Sequence, residues 1–188
     1  MTVEIGESTA LLVIDAQKGI DVAGHWGTAR NNPQAEANIE RLLRHWRSRN
    51  APCIYIVHDS LEPDSPLKLS LPTGDIKAGL EPQAGELVIR KTVNSAFIGT
   101  DLELQLRRRG IHTLVVVGFV TDHCVESTTR MAGNLGYGTF LISDATATFG
   151  RTGPDGRAFD ADLVHSVALA SLNGEFATVL STEQLLGA

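Results

Sequence analysis

Three residues of different chemical type stand where strand-like runs of the sequence end: Asp15, Lys91 and Cys124. A thiol is a poor nucleophile until ionised, and its pKa falls at a helix N-terminus or beside a cation. Cys124 precedes the helix-compatible run Val125-Glu-Ser-Thr-Thr-Arg-Met-Ala, whose dipole is expected to favour a thiolate. Lys91 would supply the cation. Asp15, desolvated at a strand end, would take the thiol proton and pass it to a departing amine. Backbone N–H groups around Val120 and Cys124 would face a developing oxyanion. Each residue alone has a plainer reading: a small buried thiol, a capping or ion-paired carboxylate, a solvated surface charge. The three together favour chemistry.

Positioning such a trio requires a sheet that gathers strand ends. Ala10-Leu-Leu-Val-Ile-Asp15 is an apolar run of strand length, followed by a glycine-rich loop from Gly19 to Gly27. Asn32-Pro33 suits an N-cap with proline at the first helical position, and Ile39, Leu42, Leu43 and Trp46 follow at helical spacing. Cys53–His58 and Glu86–Arg90 are the next strands, and Thr100 with Glu103 suggests a capping box opening a helix that ends in Arg107-Arg108-Arg109. His112–Phe119 is the strongest strand; Cys124–Asn134 is helix-compatible, Thr139–Ser143 a strand, Asp162–Asn173 a helix and Phe176–Leu180 a last strand. Buried strands alternating with helices imply an α/β fold, a three-layer αβα sandwich around a doubly wound, mainly parallel, Rossmann-like sheet of six strands. The expectation is one domain over residues 1–188. In such sheets ligands bind beyond the carboxyl ends of the strands where strand order reverses. If the first and fourth strands adjoin there, Asp15 and Cys124 face each other, and Lys91 needs its long side chain to reach them. The segment from Asp59 to Gly85, with four prolines and no clear helix, is expected to serve as a lid or subunit contact, or as plain irregular surface.

Bulk properties exclude several classes. The 188 residues carry a formal net charge of −6, which gives a nucleic-acid partner no electrostatic support. No apolar run reaches membrane-spanning length, and mean hydropathy is near zero. The first residues lack the basic start and apolar stretch of a signal peptide, so a cytoplasmic location is the expected default, with Cys53 and Cys124 as free thiols.

The segment Gly118-Phe-Val-Thr-Asp-His-Cys-Val125 resembles the signature of the isochorismatase-like (cysteine hydrolase) superfamily. Leu12-Val-Ile-Asp15-Ala-Gln17, Arg90-Lys91-Thr-Val-Asn-Ser95-Ala-Phe97 and Asp144-Ala145 support it, in order and over essentially the whole chain. That superfamily includes nicotinamidases, carbamoylsarcosine and maleamate amidases, and isochorismatase itself. The resemblance implies that Asp15, Lys91 and Cys124 form a catalytic triad. It also implies a cis peptide between Phe119 and Val120 that turns the Val120 amide towards the oxyanion, and a homodimer or homotetramer. The implied reaction cleaves a C–N bond of a small molecule (amide, ureido, imide or lactam) through a thioester on Cys124.

Departures narrow the expectation. Nicotinamidases carry a metal site built from an Asp-x-His pair and further histidines; here the stretch is His58-Asp59-Ser60-Leu61, so no metal and no cofactor are expected. A nicotinamidase remains an alternative, as does an isochorismatase-type vinyl-ether hydrolase using Asp15 as acid without need of Cys124. A non-enzymatic binding protein on this fold is disfavoured by the intact trio. Trp26 with His25, and Phe97 with Phe119, are candidate pocket walls; His58 is a candidate substrate contact. His123 beside the nucleophile suggests a dyad, but adjacent side chains diverge, so a structural role is expected. Cys53 is expected in the core.

Overall fold

In the computed structural model, residues 4–187 are described, and the strands form where Val, Ile and Leu run without interruption. Strands β1 (Thr9–Ile14), β2 (Cys53–His58), β3 (Leu87–Lys91), β4 (Thr113–Phe119), β5 (Gly138–Ala147) and β8 (Thr178–Leu180) join in the order β3-β2-β1-β4-β5-β8, every neighbouring pair parallel. The chain therefore builds outward from β1 in one direction, then returns to β4 on its other side, and the strand order reverses between β1 and β4. Every residue of β1 is buried, Thr9 as well as the apolar run Ala10–Ile14.

Alternation along the strands splits the core in two. Leu11 and Val13 pack with Ile39, Leu42 and Trp46 of α1 (Ala35–Arg47) and with Leu185 of α5 (Thr182–Leu186). Leu12 and Ile14 face the other side, with Leu102 and Leu106 of α2 (Leu102–Arg108), Ala132 of α3 (Glu126–Asn134) and Leu172 of α4 (Ala161–Leu172). The six-stranded, doubly wound sandwich is the architecture that the strand–helix rhythm implies. No helix of the described residues is long and apolar enough to cross a membrane.

Several local expectations are corrected. Helix α1 starts at Ala35; Asn32 adopts a left-handed backbone (φ 43°) and its amide donates to the carbonyls of Ser143 (2.9 Å) and Thr146 (2.7 Å). It ties its loop to β5 rather than capping a helix. The Thr100–Glu103 capping box does not form, because the Thr100 hydroxyl donates backwards to the Ala96 carbonyl. A capping box does open α5, between Ser181 and Gln184, where none was expected. Strand β5 runs on to Ala147 with a register shift against β4, and a short hairpin of β6 (Arg151–Thr152) and β7 (Ala158–Phe159) follows it.

Gly118, next to last in β4, has φ 118°, and a Cβ there would stand 2.0 Å from the Ile14 carbonyl oxygen. Only glycine lets β1 and β4 approach so closely where the site is built.

Candidate active site

Four neighbouring strands end side by side, and each delivers one polar group. Asp15 follows β1, His58 ends β2, Lys91 ends β3, and Cys124 lies in the wide helical turn Thr121–Val125 between β4 and α3. His58 and Lys91 are in register across the β2–β3 ladder. Asp15 has a left-handed backbone (φ 47°), a conformation that Asp tolerates better than most residues, and its N–H donates to the Ile56 carbonyl at 2.9 Å.

Lys91 crosses beneath β2 to reach the others and is the hub. Its Nζ lies 2.8 Å from Asp15 Oδ2, 2.8 Å from His58 Nδ1 and 3.3 Å from Cys124 Sγ. Asp15 and Lys91 are each only 1% exposed. An ammonium has three hydrogens and here meets three acceptors. His58 Nδ1 must therefore present its lone pair, which makes the imidazole neutral with its hydrogen on Nε2. Burial, and then the Lys91 charge, hold the His58 pKa below its ordinary value, against the pull of Asp15 and Asp59. Asp15 Oδ1 is buried with no hydrogen-bond partner among the described residues, which leaves it free to accept the thiol hydrogen.

The expected resting thiolate is corrected. Burial pushes the Cys124 pKa up, the Asp15 carboxylate adds to the rise, and Lys91 offsets only part of it. Cys124 also stands within the wide turn ahead of α3 rather than at the helix's own N-terminus. These influences favour the protonated thiol over the thiolate before substrate binds.

Asp15, His58 and Cys124 place their ligating atoms within 4.8 Å of one another, a grouping that strand spacing did not reveal. The cation among these donors is the Lys91 ammonium, which a metal ion would have to displace. The nicotinamidase-like metal loop is not assembled: Asp59 accepts from the Leu69 N–H and pairs with Arg90, while Leu61 is 76% exposed.

Above the trio opens a cavity of about 350 Å³. Trp26, His25, Ile20 and Phe119 line it together with Ser60, Glu62, Pro63, Asp64, Ser65 and Leu67, so the long segment after β2 serves as a wall. Trp26 is fixed by its indole N–H donating to the Gly19 carbonyl at 2.8 Å. His123 also lines the cavity, with its Nε2 3.6 Å from Asp122 Oδ2. Phe97 does not line it. The Ala96 N–H donates to Thr128 Oγ1, which sends Phe97 to stack on Tyr137 (6.0 Å between ring centres) and turns Asn94 towards the sulfur, its Oδ1 3.9 Å from Sγ. The Phe119–Val120 peptide is cis. Among the described residues the Val120 N–H donates to no atom.

Two supports lay outside the sequence reading. Gln17 is fully buried, and its side chain donates to the carbonyls of His58 and Gly74 while accepting from the His58 N–H, each at 2.8–2.9 Å. It clamps the end of β2 to the turn Pro72–Gly74; its presence in the Asp15-Ala-Gln17 segment was the only signal. Asp122 accepts from Thr148 and from Arg151 Nε (2.9 Å), and Arg151 in turn donates to the Trp26 carbonyl (2.6 Å), which fastens the β6–β7 hairpin and the Trp26 loop to the nucleophile's turn.

Comparison with known proteins agrees with this arrangement. Residues 9–184 match the Isochorismatase domain. The isochorismatase family protein YrdC of Bacillus subtilis (strain 168) is 46% identical over 183 residues, covering 96% of this chain and 95% of that protein. The ureidoacrylate amidohydrolase RutB of Rhizobium rhizogenes is 33% identical over 182 residues, covering 76% of this chain and 71% of its own length. A crystal structure from Chromobacterium violaceum ATCC 12472, described as a hydrolase of the isochorismatase family, superposes with a TM-score of 0.93 at 44% identity, over 100% of this chain and 96% of that one. With its strand order, its trio at the β1–β4 reversal and these relatives in accord, the chain belongs to the isochorismatase family of hydrolases.

Proposed function

We propose that the chain is a metal-independent cysteine hydrolase that cleaves a C–N bond of a small molecule. The observation that carries this reading is the Lys91 ammonium donating to Asp15 and Cys124 together at the floor of a cavity. The kinship with RutB supports C–N bonds as the target.

The substrate carbonyl oxygen sits against the free Val120 N–H and the Cys124 N–H. Asp15 takes the proton of the Cys124 thiol through its unpartnered Oδ1, and the sulfur attacks the carbonyl carbon. Lys91 keeps contact with both the sulfur and Asp15 throughout. The tetrahedral intermediate collapses when protonated Asp15 gives its proton to the leaving nitrogen, which departs as ammonia or an amine and leaves a thioester. A water molecule, losing its proton to Asp15, attacks the thioester; the acid leaves and the sulfur regains the proton. His58 holds the third Lys91 hydrogen, with its own Nε2–H on the far side of the ring.

The test is Cys124→Ala with a panel of small amides, ureides and lactams, read by ammonia release, alongside intact-mass detection of an acyl adduct on the native enzyme. Turnover by the variant near the native level refutes covalent catalysis. Incubation with isochorismate tests the alternative, ether hydrolysis with Asp15 as acid.

A further inference from the structure

We propose that this cavity selects substrates without a carboxylate, neutral or cationic at the end that faces Glu62 and Asp64. The proposal rests on the hydrolase reading of Cys124 for turnover, but not for binding.

No lysine or arginine lines the cavity among the described residues. Three cations that border the cavity, Lys91, Arg151 and Lys77, are committed elsewhere. Lys91 spends its three hydrogens on Asp15, His58 and Cys124. Arg151 is held by Asp122 and the Trp26 carbonyl, and Lys77 by Asp21 and Glu36. A substrate carboxylate entering here would shed its water and meet no counter-charge, which is costly.

The mouth carries the opposite sign. Glu62 and Asp64 line the cavity on an exposed turn, and neither carboxylate has an ion-pair or hydrogen-bond partner among the described residues. The turn itself is knitted: the Ser60 N–H donates to the Leu67 carbonyl (2.8 Å) and the Glu62 N–H to Ser60 Oγ (3.2 Å). Burial holds the His58 and His123 pKa values below the ordinary histidine value, which disfavours positive charge on either ring. The apolar sides, Trp26, Phe119, Ile20 and Leu67, take a flat or aliphatic body between Cys124 and the acidic mouth. RutB is named for a substrate whose acrylate bears a carboxylate, and isochorismate bears two. This cavity fits neither charge pattern.

The test uses Cys124 itself as the sensor. Three methanethiosulfonates, with neutral ethyl, cationic trimethylammonioethyl and anionic sulfonatoethyl groups (the two charged ones similar in size), each form a mixed disulfide with the sulfur and release methanesulfinate. Rates at Cys124 are read by peptide mass spectrometry at low ionic strength and divided by rates on 2-mercaptoethanol, which removes intrinsic reactivity. The expected cation-to-anion ratio is on the order of tenfold, and it falls towards one in Glu62→Gln/Asp64→Asn and at about 1 M salt. A ratio at or below one in the native protein, or one unmoved by the double substitution, overturns the proposal. A second arm measures kcat/KM for phenylacetamides bearing aminomethyl, hydroxymethyl or carboxylate groups, expected in that order. If none is hydrolysed while the reagent ratio holds, the hydrolase reading fails and the charge preference stands. A carboxylate substrate turned over best overturns the preference.

Discussion

Lys91→Met removes the only cation that, among the described residues, contacts the Cys124 sulfur and replaces it with an apolar chain of similar length. At 3.3 Å between Nζ and Sγ, with an effective dielectric of about 20, the attraction for a thiolate is about 5 kcal/mol. A third of that, allowing for relaxation and water entry, still exceeds the roughly 1.4 kcal/mol that equals one pKa unit. The loss also leaves Asp15 uncompensated, and its charge already raises the thiol pKa. Both effects act in one direction. The thiolate fraction, and with it the rate of alkylation by iodoacetamide at pH 8, should fall at least tenfold. In the native protein the rate should climb steadily through pH 8 to 10 with no plateau, because the thiol starts protonated. Cys53 supplies an internal control for unfolding: it is 4% exposed and burial pushes its pKa up to about 12, so its labelling reports lost structure. Equal or faster labelling of Cys124 in the variant, with Cys53 still silent, would refute the account of Lys91 as the group that sustains the thiolate.

Other consequences follow from the same geometry. Protonating His58 would set a second cation 2.8 Å from Lys91, and its pKa lies below the ordinary 6.5, so activity should hold as pH falls through 6.5 and decline only below it. His58→Asn should shift that acid limb, and a native limb centred at or above 6.5 would contradict the tautomer assignment. Gln17→Leu should cost roughly 3 kcal/mol or more in urea unfolding, since two carbonyls and one N–H lose their buried partner. Glu36 is held at a pKa of about 2 against an ordinary 4.5, because hydrogen bonds and charge from Arg30 and Lys77 outweigh the burial that would raise it. A depressed carboxylate contributes stability above pH 4.5 that is lost as pH falls towards 2; the native protein should lose up to roughly 3 kcal/mol over that range that Glu36→Gln does not lose, as read by urea titrations. Exhaustive treatment with a chelator such as EDTA should leave turnover unchanged, and loss restored by a divalent ion would contradict the role given to Lys91.

What the sequence made legible was what depends on chain-local pattern. Uninterrupted Val, Ile and Leu runs placed the strands of the main sheet, and the types of Asp15, Lys91 and Cys124 at strand ends were enough to nominate them. What escaped depends on partners far along the chain. Asn32-Pro33 has the local form of a helix start, but Asn32 is taken by carbonyls more than a hundred positions away. Phe97 sits in a recognisable segment, yet that segment is tied through the Ala96 N–H to Thr128 and Phe97 stacks on Tyr137, partners far along the chain. Gln17 and His58 meet only because β1 and β2 end together. The thiol's ionisation was misjudged for the same reason: the sequence displays a cation and a helix start, but not the burial that outweighs them.

A buried thiol with a raised pKa is compatible with nucleophilic attack because of how the charges are arranged. Before proton transfer the floor of the cavity holds Asp15 as carboxylate, Lys91 as ammonium and a neutral thiol. Afterwards it holds a neutral carboxyl, the same ammonium and a thiolate. The net charge is unchanged; a single negative charge has moved from Asp15 to Cys124, and both lie within hydrogen-bond reach of Nζ. Creating a new charge in so buried a place would cost many kcal/mol, whereas relocating one around a fixed cation costs only the difference between two similar contacts. His58 completes this by accepting the third hydrogen without bringing a charge of its own. Burial, which on its own silences a cysteine, here comes with a carboxylate whose Oδ1 has no other partner among the described residues and can take the proton.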